Sequence, residues 1–385
     1  MRFFRDEFER RREFPVVEKG IFLGHAGVTI LPRRVADAMK AHAEDSCHHH
    51  QEFGEVLQDV ERTRFLCAQL IGAHADEIAL LGPTSLGLSL FANGLDWRAG
   101  DEVVYYGDDY PANVYPWTAL ASRGVVARGL QPEETGDITP ELVEAALTPR
   151  TRLVALASCH YLSGRRIDVG AIGRLLRSKG VLFSLDAIQT LGASPLDVEF
   201  VDFLSADAHK WMLGPMAMGI VYVARRNFEE CRPTLLGAWN VKSPDFIAQK
   251  KIEFEETARR YEPGVLNIIG MYGMKASLEM LLEIGLKNVQ TGIFENRDFL
   301  EKQLGHLGFE FMSPRADDPM RSGILTVRHP RVDSGAIFSE LEKAGIVASL
   351  RKVHSGKKWI RFSPHFYNNF HEMERVAECV SEAVK

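Results

Sequence analysis

This sequence predicts an α/β fold, with a mostly parallel sheet flanked by helices and a smaller α+β unit attached. Three observations lead there. From Ile78 to Val223, short apolar runs alternate with helical patterns, the signature of a parallel sheet covered on its faces. After Ile268 the pattern changes to two long amphipathic helices followed by short strands and helices. Finally, 385 residues exceed what one hydrophobic core usually serves, so two domains are expected. Residues 15–265 are expected to form the large domain, and residues 1–14 with 266–385 the small one.

Taken in order, Met1 to Phe8 is arginine-rich but also acidic, with Glu9 and Glu13 following. Transit peptides avoid acids, so an amphipathic helix docked on the body or on a partner subunit is expected here. Ile21-Phe22-Leu23 reads as a short strand running into the glycine-rich turn Gly24 to Gly27. Cys47-His48-His49-His50 invites a metal reading. However, adjacent helical side chains point roughly 100° apart and cannot converge on one ion, so no metal site is expected. Ile78 to Leu81 is a strand, and Gly82-Pro83-Thr84-Ser85 opens the helix that follows. Asp101 to Tyr106 and Arg152 to Ser158 are further strands. A helix from Val169 to Lys179 then delivers the chain to the strand that ends at Asp186. Phe200 to Leu204 and Gly219 to Val223 read as two buried strands around a polar turn, Ser205 to Pro215. In the smaller unit, helices are expected at 271–284, 289–307, 334–344 and 371–384, and strands at 324–327, 347–350 and 359–362.

Composition narrows the classes of function. A net charge of -6 and a pI near 6.1 disfavour nucleic acid or an anionic membrane as the main partner. Five cysteines without a paired framework fit a reducing cytoplasmic setting. No apolar run is long enough to cross a bilayer. No G-x-G-x-x-G turn follows a strand, which disfavours dinucleotide binding.

The chemistry centres on Lys210. It lies in the turn between two apolar runs, and a buried ammonium is costly, so its pKa falls. An amine in that condition can act as a nucleophile and form a Schiff base. Asp186 ends the preceding strand, and ligands of open parallel sheets sit at the carboxyl ends of strands. Such a lysine and acid together suit pyridoxal phosphate: the amine takes the aldehyde, and the carboxylate keeps the pyridine nitrogen protonated. Thr84 and Ser85, at a helix N-terminus, offer hydroxyls and free amides to a phosphate, although a plain N-cap needs the same residue types. Arg361 can hold a carboxylate through two parallel hydrogen bonds, with Arg351 as a second candidate.

Four pieces of the chain carry a resemblance: Asp186-Ala187-Ile188-Gln189, Ala208-His209-Lys210-Trp211 with Gly214-Pro215, Tyr261-Glu262-Pro263-Gly264, and Ile360-Arg361-Phe362-Ser363-Pro364-His365-Phe366-Tyr367-Asn368. In that order and spacing the sequence resembles the class V aminotransferases of the fold-type I pyridoxal phosphate enzymes, a group that includes cysteine desulfurases, isopenicillin N epimerase and kynureninase. The resemblance implies Lys210 as the catalytic amine. It implies Thr84, Ser85, Tyr110, Asp186, Gln189, Asp207, His209 and Lys210 around the cofactor, with Tyr110 stacked on the ring. It also implies Arg361 on the substrate carboxylate and His25 as a further substrate contact.

The sequence departs from the family pattern at three places. Tyr161 stands where an asparagine is usual, and Asp207 where a phosphate-binding hydroxyl is usual. Val265 stands where a threonine reaches across a dimer interface to the phosphate, a role that Asn267 or backbone amides can substitute. An aspartate beside a phosphate is repulsive unless Asp207 accepts bonds from His209 or a backbone amide. A homodimer is expected, acting on a small amino acid by removing its Cα proton. Transamination is the expected outcome, with β-elimination, including cysteine-independent C–S cleavage, or epimerisation as alternatives, and a catalytically silent cofactor-binding protein as the non-enzyme alternative. The desulfurase branch is disfavoured: Arg351 to Lys358, where those enzymes carry the attacking cysteine, contains none. His354 is a weak candidate acid in that loop.

Overall fold

A computed structural model describes residues 3–50 and 53–385. Helix α1 (Glu7–Glu13) starts on an N-cap from Asp6, and its Arg10 is buried against Glu372 at 2.8 Å, so this helix docks on the body as its charge pattern implied. Met1 and Arg2 of that expected segment lie outside the described residues. Strand β1 (Ile21–Phe22) is followed by helices α2 (Arg33–Asp45) and α3 (Phe53–Ile71), which the sequence reading did not place. The chain then builds the large sheet from β2 (Ile78–Leu80), β3 (Glu102–Tyr106), β4 (Val126–Leu130), β5 (Thr151–Ala157), β6 (Leu182–Asp186), β7 (Phe203–Asp207) and β8 (Gly219–Val223). Helices α4 (Thr84–Gly94), α5 (Tyr115–Thr118), α6 (Pro140–Ala146) and α7 (Val169–Ser178) connect them.

The seven strands are ordered β2-β8-β7-β6-β5-β3-β4. The five strands from β7 to β4 pair in parallel, and β8 joins β7 and β2 antiparallel. Two apolar cores cover the faces. Along β5, Leu153 and Ala155 enter one core while Val154 and Leu156 enter the other. That is why this strand reads as a continuous apolar run rather than an alternating one.

The second unit carries α8 (Ile268–Ile284), α9 (Leu286–His306), β9 (Glu310–Phe311), β10 (Leu325–Arg328), α10 (Ser334–Lys343), β11 (Ile346–Val347), β12 (Ser349–Lys352), β13 (Lys358–Phe362) and α11 (Phe370–Ala383). Its four-stranded sheet is ordered β12-β13-β10-β9, and β11 pairs with β1. Met271, Met274 and Leu278 of α8 belong to the large-sheet core, whereas Ile21 and Leu23 belong to the small-sheet core. The chain thus passes between the two cores more than once.

Strand β7 corrects the expected register. It runs from Phe203 to Asp207, not from Phe200 to Leu204. Asp202 ends the approach: its carboxylate accepts the Phe183 amide at 2.8 Å and the Asn227 side chain at 2.8 Å. Ser205 and Asp207, polar residues read as turn, continue inside the strand because α4 answers them. The Ser205 hydroxyl donates to the Thr84 carbonyl, and the Asp207 amide donates to the Thr84 hydroxyl.

The recognised segment Tyr261 to Gly264 has a structural task. Glu262 is fully buried and takes both arms of the Arg64 guanidinium at 2.6 and 2.7 Å. The same carboxylate accepts the Leu80 amide, and Arg64 also donates to the Ile78 carbonyl. Strand β2, helix α3 and the loop before α8 are thereby tied at one point. Removing one partner of a buried pair leaves the other charge uncompensated, so Glu262→Ala is expected to destabilise the fold by about 3–5 kcal/mol. Urea unfolding checks this, and a loss within experimental scatter of zero would show that the tie is dispensable.

Candidate active site

The sheet positions the site. Reading across β4-β3-β5-β6-β7, the chain winds outward from β3 to β4 and then returns to add β5, β6 and β7 on the other side. The direction therefore reverses between β3 and β5, and a crevice opens at their carboxyl ends. A cavity of about 310 Å³ lies there, with Thr84, Ser85, Tyr110, Asp186, Gln189, His209, Lys210 and Arg361 on its walls. Eight of the residues singled out from sequence are thus brought together. Tyr161 and Arg351 complete the polar lining, and Ala26 to Val28 form one side.

Lys210 follows β7 and is 8% exposed. Its amine sits 5.5 Å from the centre of the Tyr110 ring, which in turn meets the Tyr161 ring edge-on at 5.5 Å. Burial pushes the amine well below the usual lysine range, and Arg361 and Arg351 push the same way against the opposing pull of Asp186. Asp186 ends β6, and its carboxylate accepts the Ile188 amide at 3.0 Å. Burial, reinforced by the neighbouring Asp109, raises its pKa. Desolvation therefore moves both groups toward their neutral forms.

Helix α4 supplies the opposite wall. Its first residues, Thr84 and Ser85, carry amides that have no partner within the helix. The Thr84 hydroxyl accepts the Asp207 amide, which leaves its own proton free to donate. Asp207 lies behind the lining rather than on it. Its Oδ1 accepts from the His209 amide and ring Nδ1, so the aspartate is engaged by its neighbours as required beside an anion. Its Oδ2 is buried without a partner.

Gln189 borders the cavity, but both ends of its amide are occupied. Trp211 donates to its oxygen at 2.8 Å, and its nitrogen donates to the Ala26 carbonyl at 3.1 Å. It holds Trp211 and the 26–28 loop in place, with one oxygen lone pair and one N–H of the amide engaged within the protein.

His25 does not reach the cavity. It is fully buried between the Thr29 hydroxyl at 2.7 Å and the Tyr367 hydroxyl at 3.0 Å, against Trp211 and His365. The expected substrate contact at His25 is corrected accordingly: the turn turns its backbone neighbours, Ala26 and Gly27, toward the cavity instead. Asn267 is likewise engaged locally, since its side chain caps α8 through the Gly270 amide, while Val265 is exposed. His354 is an exposed residue of the β12–β13 turn, 3.1 Å from Asp108, and does not line the cavity. Among the described residues no group of three His, Cys, Asp or Glu side chains is placed to hold a metal ion, and no helix is long and apolar enough to cross a membrane.

Arg361, on β13, is 1% exposed. One arm donates to the Tyr161 carbonyl at 2.5 Å, whereas Nε and Nη2 are buried without partners. Those two donors form one edge of the guanidinium and match the two oxygens of a carboxylate. A cavity with a buried amine, a buried acid, free amides at a helix start and an unpaired guanidinium edge fits pyridoxal phosphate and an amino acid in donor set and charge.

The chain is similar to known proteins along nearly its whole length. The family model described as "Aminotransferase class-V" matches residues 21–376. A "Probable cysteine desulfurase" of Methanothermobacter thermautotrophicus is 28% identical over 403 residues, covering 99% of each chain. The apo structure of a cysteine desulfurase from Thermococcus onnurineus NA1 shares the fold, with a TM-score of 0.90 at 22% identity over 100% of this chain and 99% of that one. So does the cystine C–S lyase C-DES in complex with cysteine persulfide, with a TM-score of 0.85 at 21% identity over 96% and 99%.

The contact between α4 and the sheet is tight at Gly87, where an added Cβ would lie 2.4 Å from the Ser205 hydroxyl and 2.8 Å from Val221. Gly87→Ala is therefore expected to push the helix start away from β7, at a cost of about 1–3 kcal/mol for overpacking. Weaker uptake of pyridoxal phosphate should accompany the loss, measured by absorbance titration of the cofactor-free protein. Unchanged uptake would mean that the helix start does not hold the phosphate.

Proposed function

The chain belongs to the class V aminotransferase family and is a pyridoxal phosphate-dependent enzyme, an aminotransferase or a related lyase; from that premise we propose that it transaminates a small amino acid, with Lys210 moving the proton at Cα. The observation that carries this reading is the buried amine of Lys210 in one cavity with Asp186 and the unpaired edge of Arg361. When bound, the cofactor supplies an aldehyde that condenses with amines and a ring that draws electron density from Cα.

The chain's own residues do the rest. Thr84, Ser85 and the first amides of α4 hold the phosphate, with Asp207 fixing His209 behind them. Asp186 takes the ring nitrogen, and a protonated nitrogen against it restores the charged form that burial disfavours. Tyr110 covers one face of the ring. Arg361 clasps the α-carboxylate by Nε and Nη2 and fixes the orientation of Cα. Lys210, depressed by burial, carries a neutral amine at a pH where a solvated lysine would not, and so accepts the Cα proton and returns it.

A second reading, β-elimination including C–S cleavage, is supported by the "Probable cysteine desulfurase" relative together with the placement of sulfur in this chain. Cys67, Cys159 and Cys231 are buried, Cys47 is exposed, Cys379 lies on α11, and none of them lines the cavity. A persulfide on an active-site cysteine therefore has no carrier here, whereas elimination driven by Lys210 needs none. We further infer that the partner subunit is a second copy of this chain. Leu235, Leu236, Ile247, Ile252, Val265 and Ile269 expose apolar side chains along one segment that leads from the sheet into α8.

Lys210→Ala is expected to lower kcat by about 10²–10⁴-fold, the span of general acid–base catalysis, and to abolish fixation of the cofactor by borohydride. The neutral amine is the active form, so activity should rise with pH through a limb centred below the ordinary lysine value of about 10.4. A pH profile of kcat with its acidic limb at or above that value would sink the role of Lys210 as base. Screening amino acids for keto acid, pyruvate and sulfide release separates the two readings.

A further inference from the structure

Resting on the reading that Arg361 takes the α-carboxylate, the geometry points to a second anion subsite at Arg351, and hence to α-amino acids whose side chain ends in an oxyanion as the substrate class. Register fixes the relation of the two arginines. Ser349 on β12 pairs with Arg361 on β13, and Arg351 stands two residues along β12. Residues two apart on a strand share a face, so Arg351 and Arg361 are diagonal neighbours with backbones roughly 7–8 Å apart. Both line the cavity.

Arg361 needs no help with one carboxylate. Its third arm is taken by the Tyr161 carbonyl, and its Nε and Nη2 edge is a complete two-donor fork. Arg351 is therefore left over. It is half-buried, and its Nε is buried without a partner. Among the described residues neither guanidinium is ion-paired with a carboxylate, in contrast to Arg64, Arg226 and Arg297, each of which has at least one such partner.

Charge on the cavity wall points the same way. Lys210, Arg351 and Arg361 face it, and Asp186 is the one carboxylate among the described lining residues. Burial and the nearby Arg351 both act to lower the pKa of Arg361, a repulsion that a bound anion relieves. Two guanidinium groups of one face, each with free donors, match a ligand with two oxyanions better than a ligand with one.

The test pairs substrates of equal shape. With the holoenzyme, kcat/KM for aspartate and glutamate is compared with that for asparagine and glutamine. Calorimetry in parallel compares succinate with butyrate, which lack an amine and cannot react. A preference for the acidic member of roughly tenfold or more is expected, the effect of one charge-assisted hydrogen bond. Arg351→Met should erase that ratio and the preference for succinate, while Arg351→Lys, which keeps the charge, should retain part of both. Equal use of acidic and neutral members would overturn the subsite. So would Arg351→Met lowering both members alike, because Arg351 would then serve only the shared α-carboxylate. Should no amino acid perturb the cofactor at all, the assignment of reaction fails instead, and succinate against butyrate still decides the subsite: tighter succinate supports it, and equal binding removes it.

Discussion

Desolvation of one amine at the end of a strand is the constraint from which the rest of this structure follows. Strands β5, β6 and β7 are walled by apolar cores on both faces, and β6 and β7 carry their charged residues only at the carboxyl ends. Asp186 and Asp207 end two of these strands, and Lys210 follows the second by three residues. The reversal of winding between β3 and β5 then prevents a helix from covering that end, and the crevice stays open. A lysine placed there is neither solvated nor fully paired, which is the state in which an amine is reactive at moderate pH.

The same burial acts on the acid. Asp186 is pushed up as Lys210 is pushed down, with Asp109 adding to the first and the two arginines to the second. Burial thus disfavours the charged form of both groups, while each one's charge favours the charged form of the other. This suits chemistry in which a ring nitrogen must stay protonated while an amine nearby must be free.

The sequence made the short-range part of this legible. Lys210, Asp186, Thr84 and Arg361 are picked out by the combination of a lysine, a strand-end acid and a helix start with the family resemblance, and all four line the cavity. What escaped depends on partners distant along the chain. The fate of His25 is set by Tyr367, 342 residues away, which neither its turn nor the family resemblance that made it a substrate contact reveals. Glu262 sat in a recognisable segment, yet its partner Arg64 lies 198 residues earlier, and only the fold reveals the tie. Strand β7 was displaced by three residues because local apolarity could not foresee that α4 would satisfy Ser205 and Asp207. Edge strand β4 was missed for the opposite reason: most of its residues are exposed, so no apolar run marks it.

The relation to enzymes named as cysteine desulfurases is best understood through one hairpin. Strands β12 and β13 carry Arg351 and Arg361, and their turn closes tightly through the Val353 amide on the Lys357 carbonyl and the Gly356 amide on the Val353 carbonyl. Gly356 takes a φ of 82°, the left-handed conformation that such a closure favours. A turn this short holds its tip at the surface, where His354 pairs with Asp108. It therefore brings two cations to the cavity wall and no sulfur. With the thiols elsewhere buried, exposed or on α11, the cationic groups that the chain itself sets on the cavity wall are Lys210 and the two arginines. The short hairpin places no thiol on the cavity wall, and none of the five cysteines lines it from elsewhere.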